Sequence, residues 1–152
     1  MAEQDTQYCF TVEGKLALPY QYFAGANGSK FIVALRDEKK ILAVRSESTS
    51  RTLVPPREVD ERTFEDLREN WVEVGNEGEV TGFTVIRYSE PYQPKEPPYL
   101  LALIKLDGAD SSIAHILDCD PGEVQNGMRV KAVFADEPVN SILAVSHFTP
   151  AV

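Results

Sequence analysis

Few side chains in this 152-residue sequence have the chemistry of a nucleophile, a base or a metal ligand. Its two cysteines, Cys9 and Cys119, are far apart and form no Cys-x-x-Cys pair. They read as reduced thiols, with a Cys9–Cys119 disulfide as the alternative. Two histidines, His115 and His147, have no ligand-like spacing to another His, Cys or carboxylate. Cys119 stands in LDCDP, beside a predicted helical turn where a thiolate could be stabilised, but the flanking Asp118 and Asp120 oppose its ionisation. No GxSxG motif, no neighbouring Cys–His pair and no carboxylate cluster around a histidine is present. Phosphate chemistry would need Lys or Arg, and the basic residues of the predicted strands are Arg87, Lys105, Arg129 and Lys131. Each taken alone reads better as a solvated charge.

The bulk properties exclude other classes. The formal net charge is −9, which argues against a protein that neutralises phosphates for a living. From Asn76 to Val152, five Lys and Arg face eleven Asp and Glu, so a single-strand nucleic-acid groove with stacking aromatics is the weaker alternative. Phe83, Tyr88 and Phe148 could stack, but Phe83 and Phe148 read as core. No apolar run approaches a membrane span, and MAEQDTQYCF lacks the form of a signal peptide. The expectation is a cytoplasmic protein with no membrane and no nucleic-acid partner.

The elements that must position these residues fall into three parts: 1–40, 41–70 and 71–152. The first holds a short alternating piece around Phe10-Thr11-Val12, then LPYQYFAGANGSK. A helix over SKFIVALRDEKK follows, with Ser29 as N-cap and Phe31, Ile32 and Leu35 on the docking side. The second begins with the strand Ile41-Leu42-Ala43-Val44. It continues as SESTSRTLVPPREVDERT, a polar stretch made extended by Pro55-Pro56. Leu53 and Val59 are its means of packing on a neighbour. TFEDLREN predicts one or two helical turns capped by Thr63.

The third part opens on a Trp71-led strand. Five further segments have strand character: GEVTGFTVIRYS, YLLALIKLDG, SSIAHILD, MRVKAVFAD and SILAVSHFTP. MRVKAVFAD alternates, with Met128, Val130, Ala132 and Phe134 on one face. Between the third and fourth strands, CDPGEVQNGM predicts a short helical turn capped by Asp120 and closed at Asn126-Gly127. Five strands with such a turn predict a mainly β protein built on a five-stranded OB-fold barrel. YLLALIKLDG is apolar on both faces, so its outer face must meet the helix, the middle segment or another protein.

The motifs VPPR (54–57), WVEVGNEGEVTGFTV (71–85), PPYLLALIKLDGAD (97–110) and DPGEVQNGMRVKAVF (120–134) resemble one family across almost the whole chain, and LPYQYFAGANGSKF resembles its lead-in. It is the family of OB-fold, zinc-ribbon accessory proteins that accompany thiolases and other acyl-CoA enzymes. The resemblance implies a rubredoxin-like hairpin with two Cys-x2-Cys pairs around the Pro-Pro-Arg. Anchored on Pro55-Pro56-Arg57, the four ligand positions are Ser46, Thr49, Asp60 and Thr63. All four thiolates are gone, and hard oxygen groups would not hold structural zinc. The expectation is a degenerate, metal-free hairpin that needs no cofactor. The resemblance further implies a non-catalytic subunit that binds a thiolase-like, synthase-like or hydratase-like enzyme. Leu101, Leu103, Tyr92 and Tyr99 are the expected contacts with that enzyme. Coenzyme A would be reached through the complex, with Arg87, Lys105, Arg129 and Lys131 as its candidate contacts.

Overall fold

The computed structural model describes residues 11–14, 16 and 18–151. Cys9, its alternative disulfide and Phe10 lie outside the described residues. The element order is α1 (Gly25–Val33), a π turn (Ala34–Glu38), β1 (Ile41–Arg45), β2 (Thr52–Leu53), β3 (Trp71–Val74), β4 (Glu77–Ile86), β5 (Tyr99–Leu106), β6 (Ser112–Leu117), β7 (Arg129–Phe134), a 3-10 turn (Ile142–Ala144) and β8 (Val145–Pro150). Two sheets result. A small antiparallel one has the order β2-β1-β3, and a closed barrel has the order β4-β5-β6-β8-β7. The barrel contains the five strands expected from alternation. It is antiparallel throughout except for β6 and β8, which run parallel at Leu117 and Phe148.

Burial follows the pleat. On β5 Leu100, Ala102, Ile104 and Leu106 point into the core, and Val130 and Ala132 do so on β7. Phe148 is buried as expected and stands edge-on to the His115 ring at 5.6 Å. The same core continues outward to Phe31 and Leu35, and to Ile41 and Ala43 of β1. The helix therefore docks its apolar stripe as the sequence demands, with α1 lying on β1 rather than on the outer face of β5. Among the described residues no helix is long and apolar enough to cross a membrane.

Several local expectations are corrected. The helix starts at Gly25, four residues before Ser29, whose hydroxyl instead donates back to the Gly25 carbonyl at 2.7 Å. No helix forms over TFEDLREN. Phe64 has a φ of 58°, and the segment is drawn back onto the hairpin by a bridge between Val59 and Asp66. CDPGEVQNGM is a set of turns without a helix. Asp120 does cap there, accepting from the Gly122 amide at 2.7 Å, and Gly127 takes the expected positive φ of 84°. The last strand begins at Val145, because Ile142–Ala144 winds into a 3-10 turn capped by Ser141.

One glycine is required by close approach. Gly78 on β4 faces Leu106 of β5 and Val130 of β7. A Cβ there would stand 2.3 Å from the Lys105 carbonyl oxygen, which is backbone and cannot swing away. Gly82 has only the Leu103 Cδ1 atom within reach, at 3.8 Å. Gly78→Ala should therefore destabilise the barrel by about 1–3 kcal/mol in urea unfolding, while Gly82→Ala stays close to wild type. Equal midpoints for the two variants would contradict this packing.

Candidate functional site: a carboxylate-held hairpin and an apolar barrel face

Between β1 and β3 the chain forms a compact hairpin. Leu53 and Leu67 are buried with Val44 and Trp71 in a small core of their own. Leu53 packs as expected, but Val59 is 44% exposed and Leu67 takes the role given to it. Ser46 and Asp60 are fully buried, and Thr49 and Asp60 meet, the Thr49 hydroxyl donating to Asp60 Oδ2 at 2.8 Å. The Thr49 amide donates to Ser46 Oγ at 3.1 Å. Three of the four positions singled out by sequence thus converge. Thr63 is exposed and joins no side-chain hydrogen bond among the described residues.

The residue that completes the cluster is Glu65, which sequence reasoning missed. Its carboxylate accepts from the Ser46 hydroxyl at 2.7 Å, the Glu47 amide at 2.9 Å and the Ser48 amide at 3.0 Å. These donors hold the Glu65 carboxyl down to about 2, the Ser46 hydroxyl first and the two amides after it. Asp60 is likewise lowered to about 2, chiefly by the Arg62 amide and further by the Thr49 hydroxyl. Backbone bonds close both turns: Ser46 N–H to Arg51 O at 2.8 Å, and Asp60 N–H to Glu65 O at 3.0 Å.

The hairpin is clasped to the barrel at the β5–β6 turn. The Thr52 amide donates to the Asp110 carboxylate at 2.8 Å, and the Asp110 amide donates to the Thr52 carbonyl at 2.8 Å. Ser111 Oγ accepts from the Val54 amide at 2.7 Å and donates to the Val54 carbonyl at 2.8 Å. The VPPR stretch and the LDGADSS turn are therefore two halves of one joint.

The barrel's outer surface over β4, β5 and β6 is apolar and open. Leu103 is 49% exposed, Phe83 42%, and Leu101 half-buried. They line a hollow of about 240 Å³ with Gly82, Thr84 and Ala114. Leu101 and Ala114 also border a second hollow of about 150 Å³, against Pro94, Ile116, Ile142 and Leu143. Phe83 was expected in the core and is instead at this surface. Of the aromatics expected at a contact, Tyr92 is exposed, but Tyr99 is only 8% exposed and is unavailable as a surface anchor.

The four basic residues do not converge. Arg87 lies just past the far end of β4. The other three surround its beginning, with Lys131 opposite Glu77, and Arg129 and Lys105 opposite Glu79. Arg129 is committed, its two terminal nitrogens lying 2.8 and 2.6 Å from the Asp107 carboxylate. A guanidinium fork so occupied has little left for a phosphate. Cys119 and His115 fare no better as catalysts. Burial, then Glu123, Asp118 and Asp120, push the Cys119 thiol up. Burial lowers His115, whose Nδ1 accepts from the Ile116 amide while Nε2 lies 3.3 Å from the Ile142 carbonyl.

Residues 71–135 match the family model described as ChsH2, C-terminal OB-fold domain. Over these residues, which hold β3 to β7, the chain is similar to that family. The resemblance read from the sequence is thus supported by the match over this barrel. The chain is also 25% identical over 100 residues to a DUF35 domain-containing scaffold protein of Methanocaldococcus jannaschii, covering 66% of this chain and 71% of that one. Among solved structures, an Ltp2-ChsH2(DUF35) aldolase matches with a TM-score of 0.64 at 19% identity, over 84% of this chain and 97% of the other. A DUF35-family protein of unknown function from Sulfolobus solfataricus matches with a TM-score of 0.58 at 24% identity, over 72% and 78%. These two likenesses speak to the fold.

Beside this barrel, the hairpin does not fit the zinc that the resemblance implies. Its inward groups are hydroxyls and a single ligand-position carboxylate, Asp60, and each oxygen of that carboxylate already accepts a hydrogen bond, from Thr49 and from Arg62. Among the described residues no group of three His, Cys, Asp or Glu side chains is arranged to hold a metal. Charge-assisted hydrogen bonds occupy the place of metal–ligand bonds.

This arrangement has a pH signature. Asp60 and Glu65 have folded values below their ordinary 3.8 and 4.5. Their contribution is present above those ordinary values and is lost as pH falls from about 4.5 towards about 2. Trp71, the only tryptophan, sits in the hairpin core and reports its opening. Its emission should shift red over that window. Glu65→Gln replaces one carboxylate oxygen by an amide donor facing either the Glu47 amide or the Ser46 hydroxyl and Ser48 amide, so at neutral pH exchange of the Glu47 or the Ser48 amide should quicken roughly tenfold or more. Unchanged exchange in that variant would refute the role given to Glu65.

Proposed function

We propose that this chain is a non-catalytic accessory subunit that docks on an acyl-CoA-processing enzyme, a thiolase-like acyltransferase or related synthase, and stabilises or shapes its acyl-CoA site. The observation that carries the reading is the open apolar face of Leu103, Leu101 and Phe83 on a closed and therefore rigid barrel. Patches of this kind on soluble proteins mark interaction sites. The hairpin, clasped beside it, adds an acidic and conformationally defined edge. The similarity to a scaffold protein and the fold shared with an Ltp2–ChsH2 aldolase support a role alongside an enzyme. A hydratase-like partner is the alternative form of the same reading.

The chemistry of the chain supports a subunit without a reaction of its own. Its one described thiol is disfavoured as a thiolate, and its buried imidazole has both nitrogens engaged. CoA recognition belongs to the partner in this reading. Lys105, Lys131 and Arg87 are the side chains left to touch its phosphates within the complex, since Arg129 is held by Asp107. Single-stranded nucleic acid is disfavoured because Lys105, Arg129 and Lys131 are each set opposite a glutamate across the strands.

Co-expression with a candidate thiolase-like or related acyl-CoA enzyme, followed by size-exclusion chromatography and assay, tests the proposal. The two should co-elute, and this chain alone should show no acyl transfer. Leu103→Asp should weaken the complex by roughly a hundredfold with unchanged circular dichroism. Ile104→Asp, at a fully buried position, should unfold the barrel and serves as the contrast. Separate elution at micromolar concentration, with the enzyme fully active alone, would overturn the reading.

A further inference from the structure

Residues 18–23, LPYQYF, have an unusual surface. Leu18 is 70% exposed, Tyr20 and Tyr22 79% each, and Phe23 86%. Four large apolar side chains in six residues face solvent, and the segment is neither helix nor strand. Among the described residues its backbone makes no hydrogen bond to the rest of the fold. Local features nonetheless restrict it. Pro19 fixes its own φ and keeps Leu18 extended. The Tyr20 and Tyr22 rings lie 6.1 Å apart on the same side, tilted by 42°. Its root is firm, since the chain enters α1 at Gly25 and that helix is buried through Phe31. An extended stretch of six residues reaches about 20 Å from this anchor.

We propose that residues 18–23 form a docking arm that inserts Tyr20, Tyr22 and Phe23 into an apolar groove, rimmed by Lys or Arg, on the partner enzyme. This rests on the accessory reading above and adds a second contact to the barrel face. Tyrosine and phenylalanine bring large contact areas at low entropic cost, which suits anchor residues. Its backbone, which makes no hydrogen bond to the rest of the described fold, can bond to a groove or a sheet edge. The charge decides the occupant. The net charge of −9 and Glu58, whose Oε1 lies 3.8 Å from where a Gly25 Cβ would stand at the root of the arm, call for a basic rim. The same charge opposes a second copy of this chain. An anionic lipid surface is opposed too, because interfacial segments rely on Lys and Arg that LPYQYF lacks.

The two contacts lie on different elements, the barrel face and the lead to α1. Bound to one enzyme, they act as a bivalent pair, so losing the arm should weaken binding without abolishing it. The test uses the complex co-expressed with the candidate acyl-CoA enzyme of the accessory reading. Variants are Tyr20→Ser/Tyr22→Ser/Phe23→Ser and a truncation beginning at Ala24, each checked by circular dichroism for an intact barrel. Both should raise the dissociation constant by roughly a hundredfold. Hydroxyl-radical footprinting of the wild-type complex should protect Tyr20, Tyr22 and Phe23. A complex of unchanged affinity with these rings still reactive would overturn the arm while leaving the accessory reading intact. Absence of any wild-type complex would overturn both. Arm-dependent self-association in ultracentrifugation, or arm-dependent binding to phosphatidylserine vesicles, would overturn the choice of occupant.

Discussion

The hairpin depends on two carboxylates placed where their negative charge is surrounded by fixed donors. Glu65 reaches back nineteen residues in sequence to gather Ser46 Oγ and two backbone amides, and Asp60 gathers Thr49 Oγ1 and the Arg62 amide. A metal ion organises a small hairpin by supplying one charge that many ligands share. Here the charge is on the protein, and donors converge on it. Apart from the Arg62 amide, the donors lie on the β1–β2 connection and the carboxylates on the β2–β3 connection. Each bond between Ser46–Thr49 and Asp60 or Glu65 therefore ties the two arms of the hairpin together, as cross-arm ligation would. The short apolar cluster of Leu53, Leu67, Val44 and Trp71 then seals the element from one side.

Order in the hairpin is passed to the barrel through Asp110 and Ser111. These two residues close the β5–β6 turn and at the same time hold the backbone of Thr52 and Val54. The polar joint fixes where the hairpin stands, and the continuous core from Leu35 through Val54 to Ile104 fixes the helix and small sheet against the barrel. With helix and hairpin both used on other sides, the outer face of β5 is left open. The apolar surface over Leu101, Leu103 and Phe83 is thus a consequence of topology: a closed barrel has no free edge to hide it under. On the neighbouring face Arg129 is paired with Asp107.

The barrel was legible because its signal is local. Strict alternation in MRVKAVFAD and the doubly apolar YLLALIKL follow from the pleat, and all five strands appear, the last shortened at its start by the Ile142–Ala144 turn. The helical turns over TFEDLREN and CDPGEVQNGM were misread for a shared reason. Their capping residues are present, but the following carboxylates and amides are drawn into tertiary bonds or turns, which local propensity does not contain. Glu65 was missed because its partners lie at the other end of the hairpin. Phe83 and Tyr99 exchanged their expected places. The register shift between Val80 and Gly82 breaks the two-residue count on β4 just before Phe83, and Tyr99, at the start of β5, is covered by its surroundings. The convergence of Ser46, Thr49 and Asp60 was legible only through the retained VPPR spacing.

The account stands on a hairpin ordered by carboxylates in place of a metal. The most direct measurement is amide hydrogen exchange at Ser46, Asp60 and Phe64, whose amides close the two turns, in the presence and absence of a strong chelator. The account expects protected amides with the same rates in both conditions, and no stoichiometric zinc in the protein as purified. Stoichiometric zinc together with a chelator-induced loss of protection at these three amides would contradict it.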